Sequence, residues 1–471
     1  MIELKNITFT YSNTKIGSLK NLNLSIADGE CVLITGSSGC GKTTIIRLIN
    51  GLIPNFFEGE LQGNVLVNRQ NVTQTELYDT AKTVSTVFQN PRSQFFNVDT
   101  TSELAFACEN KGMPEKEILR RIEKTVAEFK LEPLMNRSLF DLSGGQKQKI
   151  ACASVAVTGN RIILLDEPSA NLDAKTIGEL RELLKKWKEE GKTIVIAEHR
   201  LSYLWDITDR TVVLCDGEIS GDFSRNQMDK LTEDALHNMG LRTNTTNTVV
   251  EPLETTADSQ SYITIKNFKY KYKNGHLALN IPQMQIAAGK ITAITGNNGE
   301  GKTTFLNTLC GLGHRAKGFI EYNGKIYKRH ARQKLIFLVM QDVNHQLFTE
   351  SVLDEVLISQ QKENEEEARR ILASLDLEDF ADRHPQSLSG GQKQRVAVAC
   401  AIASGREILL FDEPTSGLDY SHMLQIGKIL RNLKTLGKTV IVVTHDRELI
   451  KECCDSEIRL KDYNLDKNLS N

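Results

Sequence analysis

The chain has 471 residues, enough for two or three domains with sizeable cores. Its 58 Lys and Arg stand against 60 Asp and Glu, a net charge of −2, so the overall balance favours no polyanionic partner. No run nears the roughly 18 apolar residues that a bilayer span needs, and nine dispersed cysteines without a CxxC pair argue against a disulfide framework or a zinc cluster.

The opening stretch, MIELKNITFTY, alternates like a strand and lacks the apolar core of a signal peptide. The scattered cysteines read as free thiols in a reducing cytoplasm, and any membrane association is expected to run through a partner. The strand Cys31-Val-Leu-Ile-Thr leads into GSSGCGKTT, residues 36–44, which satisfies GxxxxGK[ST] between a strand and a helical pattern. Gly36, Gly39 and Gly41 let the backbone of this loop, with Ser37, Ser38 and Cys40, curl its N–H groups around phosphates. The helix that begins near Lys42, Thr43 and Thr44 adds a favourable dipole. Lys42 is expected on the β- and γ-phosphates of a nucleotide and Thr43 on Mg²⁺. Cys40 reads as a tolerated variable position in the loop, with the further hypothesis that the same helix N-terminus lowers its thiol pKa.

From Asn90 to Phe140 helical and polar character dominates, the mark of a helical subdomain (about 90–142) inserted into an α/β core. It ends on LSGGQKQ (142–148), where Ser143 can cap a helix and Gly144 and Gly145 expose backbone donors ahead of Gln146. Ile162-Ile-Leu-Leu is a continuous apolar run, as a strand buried on both faces should be, and it closes on Asp166-Glu167. A carboxylate pair at a strand's C-terminal edge faces the crevice where ligands bind in such sheets. Asp166 is expected to hold the metal and Glu167 to polarise the attacking water. TIVIAEH is the next such strand, and its terminal His199 is expected at the γ-phosphate.

Past a Thr-, Asn- and Ser-rich linker at 241–261, which separates a first domain (1–240) from a second (262–471), the plan returns. Gly296, Asn297, Asn298, Gly299, Glu300, Gly301, Lys302, Thr303 and Thr304 form a second phosphate loop, with Lys302 and Thr303 in the roles of Lys42 and Thr43. A second helical insert is expected at about 342–388, and LSGGQKQ recurs at 388–394 with Ser389, Gly390, Gly391 and Gln392. Ile408-Leu-Leu-Phe runs into Asp412-Glu413, and TVIVVTH closes on His445. Ser143 to Glu167 and Ser389 to Glu413 each span 24 residues, while Glu167 to His199 and Glu413 to His445 each span 32. Shared spacings of this kind mark a duplication. The expected fold class is α/β: two tandem P-loop NTPase domains, each a mostly parallel sheet with an inserted helical subdomain.

These motifs, in this order and twice over, resemble those of ATP-binding cassette (ABC) ATPases, whose signature is LSGGQ. The resemblance covers nearly the whole chain. It implies two cassettes packed head to tail, each signature loop capping the nucleotide of the other. Ser143, Gly144, Gly145 and Gln146 would then face ATP on Lys302, and Ser389, Gly390, Gly391 and Gln392 would face ATP on Lys42. It implies further that Tyr11 and Tyr272 stack on adenine and that Gln89 and Gln341 bridge the site, with its Mg²⁺, to the helical subdomain. Asp173 and Asp419 match the loop that communicates between the sites. Both halves keep glutamate, signature and histidine, so two hydrolytic sites are expected.

QNPRSQFF (89–96) with ELAFACENKGMP (103–114), and QDVNHQLF (341–348), are similar to ATPases of energy-coupling factor (ECF) importers. That resemblance implies uptake of vitamins, other micronutrients or metal ions, driven from the cytoplasmic face of the membrane through a transmembrane scaffold and a substrate-binding membrane subunit. The second half departs from the pattern: it lacks Glu-Asn-x-Gly-x-Pro, and its glutamine-to-signature interval is 48 residues against 54. The alternatives are a sugar-importer ATPase and a soluble, ribosome-associated two-cassette ATPase. Two intact motif sets weigh against the former and the short polar linker against the latter. With no zinc cluster and no basic tract, no nucleic-acid partner is expected.

Overall fold

Strand Cys31–Gly36 is buried along its whole length because alternate side chains enter two different cores. Cys31 and Leu33 join Leu165, Leu184 and Ile196 on one side, while Val32 and Ile34 join Ile45, Leu164 and Val195 on the other. Ile162–Asp166 and Thr193–Ala197 follow the same rule, which is why their sequences are apolar without alternation. The structure, a computed structural model, describes all residues except 13–16, 170–171, 173, 244–260, 273–274, 276, 298 and 466–471. The expected linker therefore lies mostly outside the described residues.

The chain divides into two compact units with the seam near residue 247. Among the described residues, the central sheet of the first runs Glu218–Ser224, Arg210–Cys215, Cys31–Gly36, Thr193–Ala197, Ile162–Asp166, Val84–Val87, parallel except for Glu218–Ser224. A smaller antiparallel sheet of Leu19–Ile26, Ile2–Tyr11, Gly59–Val67 and Gln70–Asn71 contributes Ile2, Leu4, Ile7 and Phe9 to the second of the two cores. The second unit has an all-parallel sheet in the order Ile336–Val339, Ile408–Asp412, Thr439–Val443, Ile291–Thr295, Ser456–Arg459. Its antiparallel sheet is Leu277–Ala287, Tyr262–Lys271, Lys317–Tyr322, Lys325–Tyr327. Both halves are thus α/β, as the apolar runs led one to expect.

Helices Thr100–Asn110 and Glu115–Phe129 interrupt the first half, and Val352–Ser359 and Glu365–Ser374 the second. Asp99, Ser351 and Asn364 cap three of them through side-chain oxygens that accept from first-turn N–H groups. Among the described residues no helix is long and apolar enough to cross a membrane.

Candidate functional site

Where strand Cys31–Gly36 ends, the chain turns in a conformation that only glycine permits. Gly36 has φ +140°, and a Cβ there would stand 2.1 Å from the Leu214 carbonyl oxygen. Gly41, at φ +107°, starts helix Lys42–Ile49. Between them the loop is tight enough for Lys42 to fold back over it, its Nζ donating to the carbonyls of Gly36 at 3.1 Å and Ser37 at 2.8 Å. The second loop repeats the construction: Lys302 Nζ donates to Gly296 O at 2.7 Å and Asn297 O at 3.1 Å. Asn298 lies outside the described residues.

The carboxylates stand next to these loops. Thr43 Oγ1 donates to Asp166 at 3.0 Å, and Thr303 Oγ1 to Asp412 at 2.8 Å. Asp166 is buried; desolvation, with the charge of Glu167 beside it, pushes its carboxyl up to about 6. Burial likewise raises Asp412. Lys42 and Arg47 near Asp166, and Lys302 near Asp412, offset only part of this burial, and a buried carboxylate that accepts from one neutral hydroxyl is the donor chemistry a hard divalent cation satisfies. Glu167 and Glu413 adopt φ +44° and +49°, a strained backbone for non-glycine residues. Their N–H groups pin it by donating across the sheet to Ala197 O and Val443 O, both at 2.8 Å. His199 Nε2 lies 3.5 Å from Glu167, and His445 Nε2 lies 3.4 Å from Glu413. Gln89 Nε2 donates to Glu167 at 2.7 Å. The structure thus gathers Lys42, Thr43, Gln89, Asp166, Glu167 and His199 at the C-terminal edge of four parallel strands. Lys302, Thr303, Asp412, Glu413 and His445 sit at the matching edge, with Gln341 exposed just beyond strand Ile336–Val339.

Tyr11 and Tyr272 lie against the first turn of the phosphate-loop helices. Tyr11 Oη is 3.3 Å from Thr44 Oγ1 and accepts from Arg47 at 2.9 Å; Tyr272 Oη is 2.7 Å from Thr304 Oγ1. Ser143 caps helix Gly144–Val157 as its position suggested, and Gln146 returns the bond by accepting from Ser143 N–H at 2.9 Å. Ser389 and Gln392 form the same capping box on Gly390–Ala403. A Cβ added at Gly144 or Gly390 would meet nothing within 4 Å, so packing does not require glycine there. Asp173 lies outside the described residues, and Asp419 directly precedes helix Tyr420–Thr435.

One expectation is overturned. Cys40 is 2 % exposed, and burial raises its thiol pKa in spite of nearby Lys42. The side chain turns into the loop, where desolvation of a thiolate outweighs the helix N-terminus. Glu300, at the same place in the second loop, accepts from Asn297 Nδ2 at 2.9 Å.

The roles of two sets of residues escaped the sequence reading. Gln94 takes Phe88 N–H at 3.1 Å and donates to Ala151 O and Ser154 Oγ, both at 3.2 Å; Gln346 takes Met340 N–H at 3.1 Å and donates to Leu338 O at 3.2 Å. Buried Glu103 then accepts from the backbones of Phe96 and Asn97 at 3.0 and 2.9 Å, and buried Glu355 from those of Phe348 and Thr349. The signal was present, since Gln89 to Glu103 and Gln341 to Glu355 both span 14 residues. Ser169 and Thr415, two residues past the glutamates, are held by different carboxylates: Ser169 Oγ donates to Glu198 at 2.8 Å and Thr415 Oγ1 to Asp446 at 2.7 Å.

A parallel sheet whose strand-to-helix turn folds around a Lys-Thr pair, faced by buried carboxylates, defines a P-loop nucleoside triphosphatase. The family model described as ABC transporter matches residues 19–170 and 279–416, and the chain belongs to that family, as an ATP-binding, ATP-hydrolysing protein with two fused cassettes. A Treponema denticola protein named as an ABC transporter ATP-binding protein is 45% identical over 100% of this chain and 97% of its own length. An Enterococcus faecalis protein of the same name is 32% identical over 96% of this chain and 87% of its own length. Among solved structures, an archaeal ribosome recycling factor, aABCE1, bound to the ribosomal stalk protein aP1 matches with TM-score 0.65 over 96% of this chain and 86% of that one. At 22% identity that likeness is one of fold.

Proposed function

We propose that the chain is the ATP-hydrolysing subunit of an ECF-type importer. It couples hydrolysis to uptake of a micronutrient, whether a vitamin, a related small molecule or a metal ion, through a membrane scaffold and a substrate-binding membrane subunit. Its place is the cytoplasmic face of the membrane. The observation that carries this reading is the pair of loops following Gln89 and Gln341. Each presents one phenylalanine, Phe96 at 77% and Phe348 at 74% exposure, from a backbone fixed by a buried glutamate. A rigid surface with an apolar tip suits the helix of a membrane partner. In the first half the loop also begins at a residue bonded to Glu167, so its movement and the chemistry are linked.

In this reading Lys42 and Lys302 leave the loop carbonyls for the β- and γ-phosphates, and Tyr11 and Tyr272 stack on adenine. Thr43, Gln89 and Asp166 hold one Mg²⁺, and Thr303, Gln341 and Asp412 the other; when bound, the ion neutralises phosphate charge. Glu167 and Glu413 take a proton from the attacking water, while His199 and His445 contact the γ-phosphate. Cassettes of residues 1–240 and 262–471, with helical inserts at 90–142 and 342–388, are joined by a linker at 241–261 that keeps each at high effective concentration for the other. Ser143, Gly144, Gly145 and Gln146 complete the site of Lys302, and Ser389, Gly390, Gly391 and Gln392 that of Lys42. Affinity capture of the chain from solubilised membranes should recover two integral membrane proteins, and Phe96→Asp with Phe348→Asp should abolish that recovery at unchanged Tm. Recovery of ribosomes in place of membrane proteins would overturn the importer reading.

A further inference from the structure

The near-neutral overall charge conceals an uneven distribution. Residues 262–335 hold 13 Lys and Arg against 2 Glu, whereas the counterpart stretch 1–83 holds 7 Lys and Arg against 7 Asp and Glu. The excess gathers on the antiparallel sheet of the second half and the hairpin at its edge. Lys269 and Lys317 are exposed and directly opposite one another across the ladder, a like-charge pair that destabilises the sheet when nothing screens it. Lys325 and Lys328 follow along the hairpin, and Arg315 precedes it, all exposed. Among the described residues none of these five cations has an acidic partner; Lys266, at 2.8 Å from Glu321, does.

In the middle of this cationic face stands an aliphatic side chain. Ile326, 60% exposed, pairs with Glu321 in the ladder and so shares the outer face of Lys317, two positions of strand alternation away. Leu312, 51% exposed, lies in the loop leading to the sheet. We propose that this sheet face docks directly on an anionic phospholipid bilayer. Ile326 enters the boundary between headgroups and acyl chains, and Lys269, Arg315, Lys317 and Lys328 meet lipid phosphates, while Lys325, the strand neighbour of Ile326, alternates to the other face. Opposed lysines then gain the negative surface that the fold does not provide. A nucleic-acid backbone would satisfy the lysines but would press Ile326 against charge, which favours the lipid.

The proposal stands independently of the importer reading, because the test uses the purified full chain without membrane subunits. Sedimentation with phosphatidylglycerol/phosphatidylcholine vesicles should show binding, with none to pure phosphatidylcholine. High salt should release it, since exposed charges are screened within about a Debye length of ~3 Å at 1 M. Lys269→Glu, Lys317→Glu and Lys328→Glu combined should weaken the binding by about tenfold or more, given the worth of each cation near such a surface. Ile326→Ser alone should weaken it several-fold, with Tm and ATPase rate kept in both variants. Equal binding to the two vesicle types, or anionic binding that the triple variant retains, overturns the proposal. Salt-sensitive binding to single-stranded RNA with no vesicle binding does so as well, reassigning the face to nucleic acid.

Discussion

Asp166 has two opposed duties, and their conflict is measurable. Its folded-state carboxyl lies near 6, above the ordinary 3.8, so the folded chain takes up this proton before the unfolded chain does. The cost of the buried charge is therefore fully present above about pH 6 and disappears as pH falls toward 4; two units correspond to roughly 2–3 kcal/mol. Asp166→Asn keeps an acceptor for Thr43 and removes the charge. Its Tm without nucleotide should exceed that of the parent at pH 7 and match it near pH 4, while Mg²⁺-dependent hydrolysis falls at least a hundredfold. A parent-like Tm at pH 7 would show that the buried charge is compensated. Glu167→Gln and Glu413→Gln should each retain ATP binding and lower turnover by about 10²–10⁴, the usual worth of a positioned base. Steady-state hydrolysis of each variant checks this, and a variant with parental turnover would mark its site as non-hydrolytic. Cys40 shows why one such reading failed: a motif gives a residue's place in the loop but not the direction of its side chain, and here burial decided the thiol's state.

At the scale of elements, the glycines of the two motif types do different work. Gly36 is required by the fold, with no room for a methyl group beside Leu214, whereas Gly144 opens a helix with empty space around it. Gly36→Ala should destabilise the first half by several kcal/mol, as a strained φ and a backbone clash add. Gly144→Ala should be neutral or stabilising by about 0.5–1 kcal/mol, because alanine limits the unfolded chain and suits a helix, yet hydrolysis should fall. Denaturant melts beside ATPase rates separate the two, and equal destabilisation by both changes would assign Gly144 to packing. The elements themselves were unevenly legible. Parallel strands buried on both faces announce themselves as apolar runs, and the helix under LSGGQ by its cap. The antiparallel sheet did so only in part: Ile2–Tyr11 alternates, but its neighbour Gly59–Val67 reads GELQGNVLV with only Val65 and Val67 buried, so no alternation marks that strand. The loops after Gln89 and Gln341 stood out by motif, but the bonds by which Gln94 with Glu103 and Gln346 with Glu355 build them did not, because polar residues bonded to backbone leave no periodic trace.

For the whole molecule, the proposed exchange of signature loops between cassettes has a consequence that single substitutions cannot reveal. If Ser389 completes the site of Lys42, then Lys42→Ala and Ser389→Arg injure one and the same site. Their combination should cost little more than either alone, as for groups that act as a unit. Lys42→Ala with Ser143→Arg injures both sites. With ATP and Glu167→Gln/Glu413→Gln in the background to prevent turnover, the first pair should still trap about one nucleotide per chain and the second none. Were each cassette self-contained, the pattern would invert, because Lys42 and Ser143 would share a site and Lys42 and Ser389 would not. The two pairs carry the same types of substitution in the same fold, so a general loss of stability lowers both stoichiometries together. Only the crossed arrangement separates them in the proposed order.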